Sequence, residues 1–379
     1  MKIIKIIILD KKNILNNMND IIITAVGDIS VSRNIEKFVK LCNNNNYSNI
    51  FKYVKKHLQN SHISIGNLES VISNKTNNRL FLKNGPSFIA KPKSINALIN
   101  SGLNTINITN NHSNDYGNEA LQDTIDILEN NKFNILGKKN EPYKKFSIDN
   151  IDIIILGISR NWGRIKNSEK VYTYNNETLD LIKSLKKECD VLIVSIHWGT
   201  EYVFNNNSYQ KEWATKMIES GCDIIIGHHP HVIQNMEKLK IKDRTGYVFY
   251  SLGNFILDDP HDRKGVRDSM ILKIIINKTT KKVDFKYLPC VIYPNLGFIP
   301  KPLNKSFNNK YPRFYTKVGQ DLDSEVIKYF NDTNEPKGYR SRFFNKVNIS
   351  GGSKSINQNI LCVILLLLIL MLAKNFIKV

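Results

Sequence analysis

Two hydrophobic patterns alternate along most of the chain. Short apolar runs typical of buried strands cover residues 21–26, 62–65, 103–108, 151–157, 191–196, 222–226, 247–251, 270–276 and 283–288. Amphipathic stretches that predict helices cover residues 34–42, 50–58, 94–101, 117–130 and 213–220, with a weaker one at 322–330. Strands that alternate with helices predict a layered α/β domain.

The pattern also divides the chain into four parts. We predict an N-terminal arm over residues 1–20, the α/β domain over 21–300, a polar extension and linker over 301–355, and a transmembrane tail over 356–379. The first part has an apolar stretch at residues 3–9 that is interrupted by Lys5 and stopped by Asp10. Because a cleaved signal peptide needs a longer apolar run and a small-residue cleavage site, we expect an extra strand or a frayed arm instead.

The tail contains an unbroken apolar run, ILCVILLLLILMLA, over residues 360–373. As a helix it spans about 20 Å, and the flanking residues bring it towards the roughly 30 Å of a bilayer core. The linker before it, Ser350-Gly-Gly-Ser, is typical of a flexible connection. We predict a C-terminal hydrophobic helix that anchors the protein as a single-pass membrane protein. A buried core helix and a signal for lipid-anchor exchange are the alternatives.

The net charge of +20, from 54 basic and 34 acidic residues, favours an anionic partner or membrane surface. The lysines are scattered and form no nucleic-acid motif, so we predict no specific nucleic-acid partner and keep a solvated basic surface as the alternative. The five cysteines form no CxxC pair, which argues against a zinc-thiolate site or a disulfide scaffold.

Residues that can bind metals follow several predicted strands directly. They are Asp28, Glu69, Asn111, His112, His197, His229 and His231. Sites in open α/β sheets form beyond the carboxyl ends of the strands, so these side chains are expected to meet in one crevice. Such a mixed oxygen and nitrogen set suits Zn, Mn or Fe better than Ca or Mg alone, and it is large enough for two ions.

Most of these residues also have a simpler interpretation when each is taken alone. Asp28 and Glu69 could cap helices, and a histidine such as His197 at the end of a strand is often a core residue. Asp115 could be a metal ligand, but an N-cap or a hydrogen-bond partner of His112 is the interpretation we favour. The most specific motif is Gly-His-His-Pro-His at residues 227–231, because alternate histidines of an extended segment share one face.

Six segments of the chain together resemble one known family. In order they are VGDISVSRNI, IGNLES, ITNNHSNDYG, VSIHWGTEY, IIGHHPHVIQ and YSLGNFI. This series resembles the CapA (PgsA) family of poly-γ-glutamate capsule synthesis, a branch of the calcineurin-like metallophosphoesterase superfamily. The resemblance covers about two thirds of the chain. It implies a four-layered α-β-β-α sandwich and a metal-dependent hydrolase of phosphoesters or of a polyanionic polymer.

The resemblance also implies a role for each residue. One ion would be bound by Asn111, His197 and His229, a second by Asp28 and His231, with Glu69 as the bridge and His112 as the catalytic acid. Ser30 stands where the superfamily has a histidine ligand. This loss favours the alternative function, a non-catalytic subunit that binds or exports an anionic polymer.

Three further residues are predicted to bind the substrate, namely Arg33, Asn67 and Asn254. A salt bridge is the alternative for Arg33, and a role in holding its own turn is the alternative for Asn254. The expected partners are therefore an anionic substrate or polymer and, through the tail, a membrane.

Overall fold

A computed structural model describes residues 20–76, 87–160, 162–259, 263, 265–293 and 297–302. Its strands are β1 Asp20–Ile29, β2 Ile63–Leu68, β3 Val71–Ile72, β4 Ile89–Ala90, β5 Thr105–Asn107, β6 Asn134–Leu136, β7 Tyr143–Ile148, β8 Ile151–Ser159, β9 Val191–His197, β10 Ile224–His228, β11 Met236–Ile241, β12 Arg244–Phe249, β13 Asn254–Ile256, β14 Asp268–Asn277, β15 Val283–Tyr293 and β16 Ile299–Pro302. The α-helices are α1 Arg33–Cys42, α2 Lys55–Gln59, α3 Ile95–Ile99, α4 Gly117–Asn130, α5 Glu177–Lys186 and α6 Ser208–Ser220.

Most strands belong to two mixed sheets. The first has the order β16-β15-β14-β1-β2-β5-β6, with β13 also paired to β1. Within it β1, β2, β5 and β6 run parallel, and β14 to β16 extend the sheet in antiparallel fashion. The second has the order β11-β12-β10-β9-β8-β7, with parallel central strands and antiparallel edges. Parallel central strands place several carboxyl ends at one edge of each sheet.

Three hydrophobic cores separate the layers of the domain. Alternate residues of β8 show the arrangement: Ile153 and Ile155 belong to the core between the two sheets, whereas Ile154 and Leu156 pack with α5 and α6. A third core lies between the outer face of the first sheet and α1 to α4. Apolar side chains on both faces of a strand explain why the buried runs are continuous in sequence.

The α/β prediction is confirmed, and each predicted strand overlaps an observed one. The predicted helix at 50–58 is only partly formed, because the segment folds as turns followed by the short α2. The sequence reasoning missed α5, although its buried residues Thr178, Ile182 and Leu185 recur at helical spacing. It also missed the short strands β3, β4, β6, β13 and β16 and the half-exposed strands β7 and β11.

The predictions for the two ends of the chain concern residues 1–19 and 303–379, which lie outside the described residues. They include the N-terminal arm, the weak helix at 322–330, the linker and the C-terminal hydrophobic helix. Among the helices that the structure does describe, none has both the length and the apolar character needed to cross a bilayer.

Candidate metal centre

The predicted metal-binding residues converge on one buried cleft between the two sheets. Asp28 lies near the end of β1, and its strand neighbour across the parallel pair is Asn67 of β2. His197 is the last residue of β9 and lies beside His228 of β10. Glu69 directly follows β2. Because these parallel strands end at the same place, side chains far apart in sequence meet there.

The turn that follows β10 places two histidines by an unusual backbone path. His229 and His231 have φ angles of +97° and +59°. Positive φ in a residue other than glycine costs about 1–3 kcal/mol, so the surrounding structure must hold these two residues in place. The expectation that an extended backbone puts both side chains on one face is therefore wrong. The strained turn brings the two rings together instead, with 5.9 Å between their centroids.

Glu69 occupies the middle of the cluster. Its Oε1 atom lies 3.9 Å from Nε2 of His112, 3.9 Å from Nε2 of His197 and 3.8 Å from Nε2 of His231. The side chain is fully buried, and neither carboxyl oxygen has a hydrogen-bond partner among the described residues. Burial raises the pKa of Glu69 well above its ordinary value, and the nearby charge of Asp28 adds to this effect. A buried carboxyl without a partner is costly unless a cation compensates it.

These atoms fit a transition-metal ion. Glu69, His229 and His231 each offer a ligand atom, and the three atoms lie within 4.8 Å of one another. Bonds from Zn²⁺ to imidazole nitrogen or carboxylate oxygen are about 2.0–2.2 Å, so the separations of 3.8–3.9 Å around Glu69 leave room for an ion between ligands. Imidazoles combined with a carboxylate are a donor set that Zn, Fe and Mn accept.

His231 is held in the orientation that a ligand needs. Its Nδ1 lies 2.9 Å from Oδ1 of Asn254, whose Nδ2 donates to the carbonyl of Val266 at 3.0 Å. Because Nδ2 of Asn254 donates to Val266, the atom that faces His231 is the acceptor Oδ1. Nδ1 of His231 therefore carries the proton, and Nε2 keeps its lone pair on the side that faces Glu69. Asn254 is fully buried, so the geometry supports an orienting role for it more than direct substrate contact.

His197 and His229 supply neutral imidazoles. Burial lowers the pKa of both rings well below the ordinary value, and the positive charge of neighbouring histidines adds to the effect. Nε2 of His197 lies 2.8 Å from Oδ1 of Asn111. Nδ1 of His229 is buried and has no hydrogen-bond partner among the described residues. Neutral imidazole is the form that binds a metal ion.

Asp28 lies on the other side of the cluster. Its Oδ1 accepts a hydrogen bond from Nδ2 of Asn67 at 2.8 Å, and its Oδ2 accepts one from the backbone N–H of His229 at 3.1 Å. Burial opposes ionisation, but the hydrogen bond and charge of His228 and the charge of His231 outweigh it and lower the pKa of Asp28. Asn67 is fully buried and already bonded, so its position supports an orienting role.

Ser30, which replaces the expected histidine, contributes nothing to the cluster. It is fully buried, and its Oγ shares a hydrogen bond of 2.8 Å with Oγ of Ser32. Residue 30 therefore supplies no imidazole beside Asp28.

Sequence reasoning missed His228, which lies directly behind Asp28. Its Nδ1 is 3.5 Å from Oδ1 of Asp28, and its Nε2 is 3.2 Å from Oγ of Ser195. Asn107 donates from Nδ2 to the same Oγ at 3.2 Å, and its own Oδ1 accepts from the backbone N–H of Thr109 at 3.2 Å. With Asn107 donating to it, the serine hydroxyl can give its own proton to Nε2 of His228, and in that arrangement the imidazole proton is on Nδ1, facing Asp28. The first histidine of the Gly-His-His-Pro-His motif was the available signal.

His112 forms a dyad with Asp115. Nδ1 of His112 lies 2.9 Å from Oδ2 of Asp115, and Arg164 and the backbone N–H of Phe88 bind the same carboxylate. Asp115 is therefore the hydrogen-bond partner of His112, one of the roles expected for it. It is not the N-cap of α4, because Tyr116 occupies that position. With Nδ1 occupied, Nε2 of His112 faces Glu69.

Arg33 reaches the edge of the cleft from the start of α1. Its guanidinium pairs with Asp258, with 2.7 Å between Nη2 and Oδ1, and lies 4.3 Å from the ring centroid of Phe88. Phe88 in turn contacts the ring of His112 in a tilted arrangement, with 4.0 Å between centroids. The salt-bridge alternative for Arg33 is thus present in the structure, with a partner far away in sequence.

The fold and the site define an α/β protein of two packed sheets with a candidate metal centre at their carboxyl edge. The chain belongs to the family described as bacterial capsule synthesis protein PGA_cap, whose model matches residues 22–259. This family is part of the metallophosphoesterase-like superfamily, as the six motifs predicted.

Two relatives support the same assignment. The chain is 30% identical over 324 residues to the capsule biosynthesis protein CapA of Bacillus anthracis, covering 80% of this chain and 74% of that protein. It is also 30% identical over 266 residues to the PGA biosynthesis protein CapA of Bacillus subtilis (strain 168), covering 67% of each chain.

Solved structures give more distant matches. A hypothetical protein from Thermus thermophilus matches with a TM-score of 0.43 at 9% identity, over 71% of this chain and 99% of that one. A 5'-nucleotidase from Candida albicans matches with a TM-score of 0.39 at 14% identity, over 70% of this chain and 50% of that one.

Proposed function

We propose that the protein is a metal-dependent hydrolase that cleaves a phosphoester or a bond in a polyanionic polymer of the capsule type. One observation carries this proposal: the buried carboxyl of Glu69 has no hydrogen-bond partner among the described residues and lies within 3.9 Å of Nε2 of three histidines. Structural ion pairs rarely leave both carboxyl oxygens unsatisfied, whereas a carboxyl that would hold a metal ion needs a free oxygen to do so.

We assign two cation positions to the cluster. Glu69, Asn111, His197 and His229 would hold one ion, and Asp28, Glu69 and His231 the other. Two divalent ions at this place would lower the pKa of a water molecule and neutralise charge on the group under attack. Mn, Zn and Fe are the ions that this donor set accepts.

The chain's own residues would divide the remaining work. Nε2 of His112 faces the centre and would donate a proton to the leaving group, while Asp115 keeps the other nitrogen of that ring protonated. Asn254 and His228 orient His231 and Asp28. The walls of the cleft exclude bulk water, which strengthens each of these interactions.

A non-catalytic subunit that binds or exports an anionic polymer is the second candidate. The observation in its favour is Ser30, whose hydroxyl bonds to Ser32 and leaves one cation position short of a ligand. A weakly occupied position would reduce or abolish turnover without preventing anion binding.

Metal analysis combined with turnover of the full-length chain distinguishes the two. We expect about two equivalents of metal and hydrolysis of bis(p-nitrophenyl) phosphate or of a glutamate polymer, both lost in Glu69→Gln and His231→Ala. His57→Ala, a half-buried histidine of α2, is the matched control and should change neither. Metal binding and polymer binding without any turnover would contradict the hydrolase and favour the binding subunit.

We also propose that the apolar run at residues 360–373 anchors the protein in a membrane. The full-length chain should stay in the membrane fraction after alkaline carbonate extraction, and a chain with three leucines of this run changed to lysine should be released. Release of the unchanged chain would contradict the anchor.

A further inference from the structure

Two arginines rest on aromatic rings that contact histidines of the metal centre. Trp162 packs on His229 with 4.6 Å between ring centroids, and the guanidinium of Arg160 lies 4.9 Å from the centroid of Trp162. Tyr209 supports the same guanidinium at 4.7 Å. Burial is the main reason for the low pKa of His229, and the positive charge of Arg160 adds to it, so the guanidinium lies within electrostatic reach of the centre.

A second stack repeats this arrangement at the neighbouring histidine. Tyr202 packs on His231 with 5.7 Å between centroids, and the guanidinium of Arg263 lies 3.9 Å from the centroid of Tyr202. Each of the two histidines after β10 is therefore in contact with an aromatic ring, and an arginine guanidinium lies over each of these rings.

These two arginines differ from three others in the fold, which pair with acidic residues, because neither has such a pair within the part of the chain that the structure describes. Arg33 pairs with Asp258, Arg164 with Asp115, and Arg244 with Asp223. Among the described residues, no carboxylate lies within ion-pair distance of Arg160 or Arg263, and both side chains are exposed. Stacking on an aromatic face holds a guanidinium in place while its N–H edge stays available to bind an anion.

We propose that Arg160 and Arg263 form a two-armed anion subsite beside the metal centre, which binds two separate acidic groups of one ligand. The reacting group would lie at the Glu69 centre, so this inference rests on the proposed function. The subsite selects a linear polyanion over a small molecule with one acidic group, because only the polyanion can reach both arms and the centre together.

The net charge of +20 means that any anion binds weakly over the whole surface, so the test must separate local from general attraction. Calorimetry on the metal-loaded full-length chain would compare hexa-L-glutamate with N-acetyl-L-glutamate as probes. We expect hexaglutamate to bind more tightly, and Arg160→Met and Arg263→Met each to weaken it about five- to tenfold. Arg160→Lys should recover only part of the loss, since lysine keeps the charge but not the planar stack.

Lys139→Met is the matched control, because it removes the same charge from an exposed position outside the centre. The subsite is contradicted if the arginine variants bind hexaglutamate as well as Lys139→Met does, or if the unchanged chain shows no preference for hexaglutamate. Hydrolysis measured on the same preparations keeps the two proposals apart. Weakened binding in the arginine variants without turnover in the unchanged chain supports the subsite and contradicts the hydrolase.

Discussion

His231 and Asn254 form a hydrogen bond of 2.9 Å between Nδ1 and Oδ1, and this bond decides which nitrogen of the histidine can bind a metal. The two residues lie in different motifs, on either side of β11 and β12. The sequence suggested that Asn254 contacts substrate, whereas its burial and its second bond to Val266 favour control of the ligand.

Removing this bond should weaken metal binding without removing a ligand. We expect Asn254→Ala to reduce affinity for Mn²⁺ or Zn²⁺ about 10- to 100-fold, measured by competition with a chromophoric chelator. Asn131→Ala, an exposed asparagine that follows α4, serves as the control. Unchanged affinity in Asn254→Ala would show that His231 needs no orienting partner.

Replacing Glu69 should stabilise the metal-free protein. Burial raises the pKa of Glu69, so above the ordinary value of about 4.5 the unfolded chain ionises more readily than the folded one, and folding stability falls as pH rises. Glu69→Gln removes this cost. Its melting temperature in EDTA at pH 7 should rise by about 2–4 °C for each kcal/mol recovered. Added Mn²⁺ should stabilise only the unchanged chain, and Glu119→Gln on the surface of α4 should behave like that chain.

Metal binding should release a proton, and Glu69 is its expected source. Burial raises the pKa of Glu69, so the metal-free carboxyl keeps its proton to a higher pH than an ordinary glutamate, whereas burial lowers the pKa of His197 and His229 and favours their neutral form. Affinity should therefore increase with pH. Calorimetry in two buffers of different ionisation enthalpy would count the protons. Proton release that persists unchanged in a Glu69→Gln variant still able to bind metal would assign the proton elsewhere.

His112 should matter most when the leaving group needs a proton. We expect His112→Ala to lower kcat about 10²- to 10⁴-fold on alkyl phosphodiesters and much less on p-nitrophenyl esters, whose leaving group departs unprotonated. Metal content should stay the same. An equal loss on both substrates would point to a role in binding instead of proton transfer.

The proton of His228 should reside on Nδ1 even in the metal-free protein. Nitrogen-15 NMR of the imidazole would show this tautomer directly, and Ser195→Ala should allow the other one because it removes the donor to Nε2. His228→Asn keeps a donor towards Asp28 and should retain metal binding better than His228→Gln. The same tautomer in Ser195→Ala would show that Asp28 alone fixes the ring.

The strands and the candidate ligands could be predicted because both depend on local signals. Continuous apolar runs mark strands that are buried on both faces, as in β8, β9 and β10. Polar residues such as Asp28 and His197 stand out because they interrupt an apolar pattern at the end of a strand. Helix α5 also carried a local signal, the buried residues Thr178, Ile182 and Leu185 at helical spacing, which the sequence reasoning did not use.

The sequence by itself determined the class of the fold, the family and the residue types gathered at the strand ends, because hydrophobic period and motif order are written along the chain. Only the tertiary structure decided how each residue is used. It assigned Asn254 and Asn67 to hold other side chains, and among the described residues it left buried Glu69 without a hydrogen bond and Arg160 without an acidic partner. These outcomes depend on distances between segments far apart in sequence, and burial sets the energy of each contact.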